Sequence, residues 1–578
     1  MSATRATRWL LLGLLAGVAF GSLAGVAGPG PRVVFSDVTG ESGVKVTHFT
    51  DAFGKKYLPE TVGSGVCAID FDRDGWQDLL FVNGTAWPGR RSPLASSLAL
   101  YRNLGNGRFE NVTRKAGLSR KLYGMGCAVG DYDNDGFVDV YVTALGANVL
   151  FRNRGDGTFA DATGQAGVAD EGWSTSAAWV DYDRDGHLDL FVGHFVKWSP
   201  ETNILCTYDG RYQSYCSPRP FPGDSNRLFR NNGDRTFTDV TRQAGVWNPS
   251  GKTLAVAVYP GEDGWPNLVV GNDTQPNYLY VNTKTGGFRD QSLRAGIAFN
   301  ENGLARSAMG VDVADVQNTG KLAIAISNFA NEMISFYVQE RGDVFFDRSG
   351  PSGIGPASLL SVSWGIFFFD YDLDGLEDLF VVNGHVNDQV HKIQPTVTHA
   401  QRPLLFLNTG GGAFREVGLE SGPAVARKIV ARGAAYLDMD NDGDLDVVIT
   451  TNNGPAYLLR NEGGNRNRFV RLTLLRGQGA GDGIGARVTL QRQGSEHVRW
   501  VKSGSSYLAQ SELPLTFGLG SDPEPVGIRI LWPSGRQETL SGLEPNRAYS
   551  IREGRGAVPA DAHRPARPLV SYCGPPGG

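Results

Sequence analysis

The sequence predicts an all-β protein: a seven-bladed β-propeller closed by an N-terminal strand, with a small C-terminal β-domain after it. Three observations predict it. An acidic, glycine-centred phrase recurs seven times, each copy leads into a strand-like run, and the last copy lacks a strand that stands alone near the start of the chain. Glycine is also abundant, 77 of 578 residues, or about 13% against a usual level of roughly 7%, and without a collagen period that excess signals many turns.

The full copies carry carboxylates at places one, three, five and nine and glycine at place six. They are Asp70, Asp72, Asp74 and Asp78; Asp131, Asp133, Asp135 and Asp139; Asp181, Asp183, Asp185 and Asp189; Asp370, Asp372, Asp374 and Asp378; and Asp438, Asp440, Asp442 and Asp446. Two degenerate copies, Tyr259 to Asn267 and Asp315 to Ala323, keep the glycine but few carboxylates. Start-to-start spacings are 61, 50, 78, 56, 55 and 68 residues.

A short β-type run follows each acidic loop, as in Leu79 to Val82, Val140 to Thr143 and Val447 to Thr450. A second phrase then recurs around a glycine turn, LYRNLGNGRFENVT in the first repeat and LFRNRGDGTFADAT in the second, and adds a hairpin. With an apolar lead-in such as Gly126 to Gly130, each unit holds four strands in about fifty residues, the size of a propeller blade. After Tyr457 to Asn461 the last unit has no final strand, whereas Phe35-Ser-Asp37-Val-Thr39 is that phrase standing alone. A ring completed by its own first strand leaves no open sheet edge.

Alternate carboxylates on a tight turn converge on one point, and four of them held together repel strongly without a cation. Calcium suits such a site, because it accepts six to eight oxygen ligands in flexible geometry. An EF-hand begins similarly but needs a bidentate Glu at place twelve between helices, where this chain has Phe81, Val142 and Val192 on strands. The bland reading is that the aspartates make side-chain to backbone turns with no ion, and it fits the two degenerate copies best. The ions are expected to be structural.

Charge excludes a protein driven onto nucleic acid by bulk positive potential, with 55 basic against 60 acidic residues and a net charge of -5. Residues 1–27 read as a cleavable export signal, with Arg5 and Arg8 ahead of an apolar run from Trp9 to Phe20. The competing reading is a retained anchor. No membrane span is expected after signal removal, and the mature protein is placed as secreted, periplasmic or at the cell surface. Of five cysteines, Cys206 and Cys216 are candidates for a disulfide restraining a Gly/Pro-containing loop. Cys67 and Cys127 read as buried small hydrophobes, and Cys573 falls in the tail. The domains are the propeller over 32–462, a β-domain over 466–553 and a disordered, Pro- and Gly-rich tail over 554–578.

Units one, three and six exceed the shortest repeat between their second and third strands, at Thr85 to Ser97, His194 to Asn226 and Gly384 to Pro403. These insertions leave the face opposite the acidic loops. They carry Trp87, Arg90, Trp198, Tyr208, Tyr212 and Tyr215, a mix of aromatic and Arg residues suited to recognition. The alternative is that they pack over the channel or dock the C-terminal domain. His385, His391 and His399 share one insertion with Asp388, and a transition-metal or acid/base site there competes with solvated histidines. No GxSxG elbow, P-loop, CxxCH or HExxH motif occurs, and no catalytic residue is assigned.

The acidic repeats resemble the FG-GAP/VCBS type, similar to those of the integrin α-subunit propeller with its calcium loops. Residues 466–553 resemble the ASPIC/UnbV domain through Gly483-Ile-Gly485-Ala486-Arg487-Val488, Phe517-Gly-Leu-Gly520 and Trp532-Pro-Ser-Gly535. The combination is similar to the cartilage acidic protein family and its bacterial relatives. The resemblance implies architecture more than function, since such propellers serve adhesion, recognition and enzyme scaffolding. The expectation is an exported, calcium-stabilised binding or adhesion protein with a protein or glycan ligand on the insertion face. The alternative is an extracytoplasmic hydrolase or biosynthetic accessory enzyme using the His385 to His399 loop or the propeller channel.

Overall fold

The structure is a computed structural model that describes residues 33–208, 210–477, 481–492 and 494–560. The export-signal reading, the end of the tail with Cys573, and the Tyr208 side chain lie outside the described residues.

Each repeat forms a four-stranded antiparallel sheet. The first comprises Gly65–Ile69, Asp78–Val82, Leu98–Asn103 and Phe109–Asn111, in that spatial order. The other sheets begin with Tyr123–Gly130, Ser174–Val180, Thr253–Pro260, Ala308–Ala314, Ser363–Phe369 and Ala431–Leu437. Apart from the half-buried Tyr436, these first strands are buried along their whole length, which explains why they read as continuous apolar and small-residue runs without alternation. They pack on one another in sequence order, and that of the seventh sheet packs on that of the first. Val34–Asp37 supplies the missing strand of the seventh sheet, antiparallel to Tyr457–Glu462 with Val34 opposite Glu462. Its Phe35 is fully buried beside Tyr371 and Phe380 of the sixth repeat.

The C-terminal region forms two four-stranded sheets, one containing Arg468–Leu475 and Arg547–Arg552, the other Arg487–Arg492 and Val526–Leu531. Val470, Leu472, Phe517, Ile528, Ile530 and Trp532 pack in a core shared between them and continuous with that of the second and third repeats. The expectation of a disordered tail over 554–578 is corrected for its first residues, 554–560. Gly556–Pro559 is a strand, antiparallel to Arg547–Arg552, because Arg547–Arg552 otherwise leaves an unpaired edge.

A loop of this region, Ser503–Ser511, runs among the first strands and bonds to all seven. Ala509 and Gln510 pair in parallel with Val66 and Cys67. The Val129 N–H donates to Gln510 Oε1 at 2.9 Å, and Trp179 N–H donates to Ser503 Oγ at 3.1 Å. Val258 N–H donates to the Gly504 carbonyl, and Ser506 exchanges two backbone hydrogen bonds with Val311. Ile366 N–H and the Ala434 carbonyl meet Ser506 Oγ at 3.2 and 2.8 Å. The buried Ser506 and Leu508 adopt positive φ, 63° and 51°, at a cost of order 1–2 kcal/mol each, which the fit of the loop among the strands offsets. The space among the seven first strands, where the sequence reading places a propeller channel, thus holds a segment of the chain itself.

Two disulfides form. Cys206–Cys216 agrees with expectation. Cys67–Cys127 corrects the reading of those residues as free hydrophobes. Sixty residues apart in sequence, they lie on the adjacent first strands of sheets one and two, and only that lateral packing brings their Cα atoms to 6.1 Å.

Candidate functional site

In every full repeat the acidic loop joins the first strand to the second and is built by its own aspartates. The place-one carboxylate accepts the N–H of the place-six glycine, as Asp70 does from Gly75 at 3.1 Å and Asp131 from Gly136 at 2.7 Å. The glycine has φ near 90°, 90° at Gly75 and 98° at Gly136, a region costly for residues with a Cβ. The place-nine carboxylate accepts the place-two N–H, as Asp139 does from Tyr132 at 3.1 Å, and also an asparagine N–H from the third strand, Asn153 at 2.7 Å.

Five carboxylate trios result whose ligand atoms lie within 4.8 Å of one another: Asp70, Asp72, Asp78; Asp131, Asp133, Asp139; Asp181, Asp183, Asp189; Asp370, Asp372, Asp374; and Asp438, Asp440, Asp446. Asp74, Asp135, Asp185, Asp378 and Asp442 fall outside these trios. Four of these, Asp74, Asp135, Asp185 and Asp442, stand at place five and cap their own turns, as Asp135 does by accepting the Phe137 N–H at 3.1 Å, whereas Asp378, at place nine, accepts the Asn408 N–H at 2.7 Å. Buried oxygens without hydrogen-bond partners remain in the loops, among them Oδ1 of Asp133, Asp181, Asp183, Asp370, Asp438 and Asp440. Burial, then the neighbouring Asp74 carboxylate, pushes Asp70 up to about 7. Burial and Asp482 push Asp131 up to about 8. Carboxyls so displaced favour uptake of a proton or a cation, and an all-oxygen donor set of this kind fits calcium.

Sequence reasoning missed two features. Asp444, at place seven, is fully buried with an unpartnered Oδ1, and burial together with Asp442 pushes it up to about 9. Its signal was visible as an extra acid in DMDNDGDLD. The third-strand asparagines are the second feature. Beyond its own loop, each donates Nδ2 to a place-two carbonyl of the preceding repeat: Asn153 to Phe71 at 2.8 Å, Asn231 to Tyr132 at 2.9 Å, and Asn461 to Tyr371 at 2.7 Å. Asn103 of the first repeat reaches Met439 of the last at 2.7 Å. The recurring Arg-Asn dipeptide was their signal.

The degenerate loops keep the turn without the trio. Asp315 accepts from Thr319 and Gly320, and Asn267 stands at place nine, accepting the Asn282 N–H at 2.9 Å.

The C-terminal region docks on the acidic loops. Arg476 reaches Asp181 at 3.6 Å, Arg499 reaches Asp370 at 3.4 Å, and Arg471 lies 3.7 Å from Asp438 while paired with Glu512. Asp482 accepts the Asp131 N–H at 2.8 Å.

The insertions leave the other ends of the sheets and knit together. Trp87 and Trp198 are buried, contrary to their expected place on a contact surface. They pack with Tyr57, Tyr123 and Trp173, with Trp87 stacked on Tyr123 at 4.4 Å, because large aromatic side chains on facing loops bury more area against each other than on the surface. Tyr215 is half-buried and donates to Glu60 at 2.9 Å. Arg90 is exposed, pairs with Asp51 and lies 4.4 Å over the Phe53 ring. Tyr212 is exposed with Lys392 at 4.9 Å over its ring. Phe53, Ile204 and Leu205 are exposed as well.

The sixth insertion brings His385 beside His399, whose carbonyl accepts the His385 N–H at 2.9 Å, but leaves His391 apart. His385 is buried, its Nδ1 accepts the Asn387 N–H at 3.0 Å, and burial with His399 and Arg432 nearby brings it down to about 4. His391 faces solvent. Among the described residues the convergent groups are the five aspartate trios.

The recurring acidic loops and the docked sandwich define a class. An FG-GAP-like repeat profile matches residues 70–142, 132–192 and 370–449, and an ASPIC and UnbV profile matches 477–558; this is a chain of FG-GAP-like repeats with a C-terminal ASPIC and UnbV domain. It resembles the cartilage acidic proteins. Cartilage acidic protein 1 of Mus musculus is 26% identical over 317 residues, covering 54% of this chain and 46% of that protein. The Homo sapiens protein is 27% identical over 312 residues, covering 53% and 44%, and that of Xenopus tropicalis 24% over 500 residues, covering 83% and 62%. The chain thus spans about half the length of the mouse and human relatives it matches. A solved Agrocybe aegerita lectin, described as recognising non-reducing terminal N-acetylglucosamine, aligns with a TM-score of 0.39 at 14% identity over 72% of this chain and 88% of that one. Among the described residues no helix is long and apolar enough to cross a membrane.

Proposed function

We propose that the protein is an exported binding protein whose seven sheets, over 32–462, are the blades of a closed propeller, stabilised by calcium in the five full acidic loops. The packing of the seventh first strand on the first and the Asn103 bond to Met439 support closure. The buried, unpartnered aspartate oxygens support the ions.

The ligand, a protein or a glycan, is read by the insertion-bearing end. One observation carries this. Insertions from repeats one, three and six, with residues 51–61, interlock through Asn387 to Ser214 at 3.2 Å and Lys56 to Asp388 at 3.3 Å, yet leave Phe53, Ile204, Leu205 and Tyr212 exposed among cations. A rigid base with exposed aromatic and cationic tips is the composition of a recognition surface. The test is binding to arrayed extracellular proteins and glycans in calcium. Phe53→Ala and Tyr212→Ala should weaken a hit at least tenfold with the melting temperature unchanged; a hit indifferent to both would refute the assignment.

A further inference from the structure

The five full acidic loops share their carboxylates but not the cations that meet them. In the first three repeats the third-strand arginine next to the interlocking asparagine turns into its own loop. Arg102 pairs with Asp72 and Asp74 at 2.6 and 3.1 Å, Arg152 with Asp133 and Asp135 at 2.6 and 2.7 Å, and Arg230 with Asp183 and Asp185 at 2.7 and 3.3 Å. Arg235 adds a second pair to Asp133 at 2.9 Å. The sixth repeat has Leu407 at that place, but Arg499 of the C-terminal region pairs there with both Asp370 and Glu377.

The seventh loop departs from this pattern twice. Its third-strand arginine, Arg460, puts Nε and Nη2 on Glu462 at 3.0 and 2.7 Å, so that its attraction reaches Asp440 only from beyond ion-pair distance. Glu462 stands where the first three repeats have Leu104, Arg154 and Asn232. Arg471 lies 3.7 Å from Asp438, but its charge is met by Glu512, which it grips at 2.5 and 2.6 Å. The loop also carries a fifth carboxylate, Asp444, where the others have Trp76, Phe137, His187 and Leu376. Asp444 is fully buried; its Oδ2 accepts the Asn465 N–H at 2.9 Å and its Oδ1 has no partner. Its charge acts on those of Asp438, Asp440 and Asp446.

The affinity of a calcium site follows the negative charge gathered around it, and a buried carboxylate nearby is felt with little screening. Asp444 lies outside the trio of Asp438, Asp440 and Asp446, so it acts on an ion through its field rather than by touching it. With calcium in the loops as proposed above, we infer that the seventh loop is the tightest calcium site of the protein, its affinity set by the buried Asp444 and by Glu462, which holds Arg460 off the loop. Asp446 of that trio also accepts the Asn461 N–H at 2.7 Å, and Asn461 lies on the strand that Val34–Asp37 pairs with. The first ion bound therefore braces the N-terminal strand.

The experiment is calorimetric titration of calcium into the chelator-stripped full chain. The wild type should take up one ion at least tenfold more tightly than the rest. Asp444→Asn and Glu462→Gln, the second releasing Arg460 without touching the loop, should each weaken that tight phase at least tenfold with the total stoichiometry unchanged. Asp183→Asn, in the third loop, should lose one ion and keep the tight phase. Stripped of calcium, Asp444→Asn should melt no lower than the wild type, because it removes a buried charge; a lower melting temperature would make Asp444 a structural part of the turn and overturn its role. A single affinity class for all ions, a tight phase that survives either Asp444→Asn or Glu462→Gln, or one lost in Asp183→Asn would each overturn the inference while leaving calcium in the loops. No heat of binding in the wild type would remove both.

Discussion

Gln510 of the C-terminal region grips Val129 of the second sheet with both halves of its amide: Val129 N–H donates to Oε1 at 2.9 Å, and Nε2 donates to the Val129 carbonyl at 3.0 Å. Both residues are buried, and the side chain completes backbone bonding that the strand cannot satisfy itself. Gln510 also accepts from Ser503 Oγ at 3.0 Å, which ties the two ends of the inserted loop together. The C-terminal region therefore acts as a hub for the seven sheets.

Gln510→Leu, of similar size, leaves that N–H and carbonyl buried and unmade. It should lower stability by about 1–3 kcal/mol per stranded group, read as a shift in the denaturant midpoint. Sheets and C-terminal region should still unfold in one transition, and two separate transitions in the wild type would contradict the hub.

Calcium added to chelator-stripped protein should bind with measurable heat and raise the unfolding midpoint, by about 2.7 kcal/mol per independent site at a hundredfold excess over Kd. Asp133→Asn should lower the stoichiometry by one, since Asp133 carries a buried, unpartnered oxygen of the second trio. Unchanged heat and midpoint on adding calcium would reduce the loops to turns.

Glu60, buried beneath the insertions, is pushed up to about 7 by burial, against the hydrogen bond from Tyr215. With the folded value above the unfolded one, the native state holds the proton more tightly. That stability is fully present below about pH 4.5 and is lost as pH rises through 7, amounting to about 3 kcal/mol at 1.36 kcal/mol per unit. Glu60→Gln should flatten this part of the stability profile between pH 5 and 8, as measured by urea titrations.

The two disulfides differ in the loops they close. Cys67–Cys127 spans 60 residues and Cys206–Cys216 spans 10, which the chain-entropy account converts to about 4 and about 3 kcal/mol. Cys67→Ser with Cys127→Ser should lower the melting temperature more than Cys206→Ser with Cys216→Ser, and the second pair should act mainly on ordering of the 194–226 insertion, seen by proteolysis.

The repeats, their four strands, the acidic turns and the N-terminal strand of the last sheet were all legible in the sequence. Each depends on residues within one repeat, or on a phrase repeated so often that a missing copy stands out. Cys206–Cys216 was legible for the same local reason. The Cys67–Cys127 bond, the burial of Trp87 and Trp198, the asparagine ties such as Asn103 to Met439, and the passage of Ser503–Ser511 among seven strands were decided by tertiary structure alone. Those contacts join residues from tens to more than 300 positions apart, and no local period or propensity records which distant surfaces meet. The Ser-Gly-Ser-Ser run at 503–506 carries no apolar residue to signal burial. Only the packed interior, with backbone groups to satisfy on every side, decides its place among the strands.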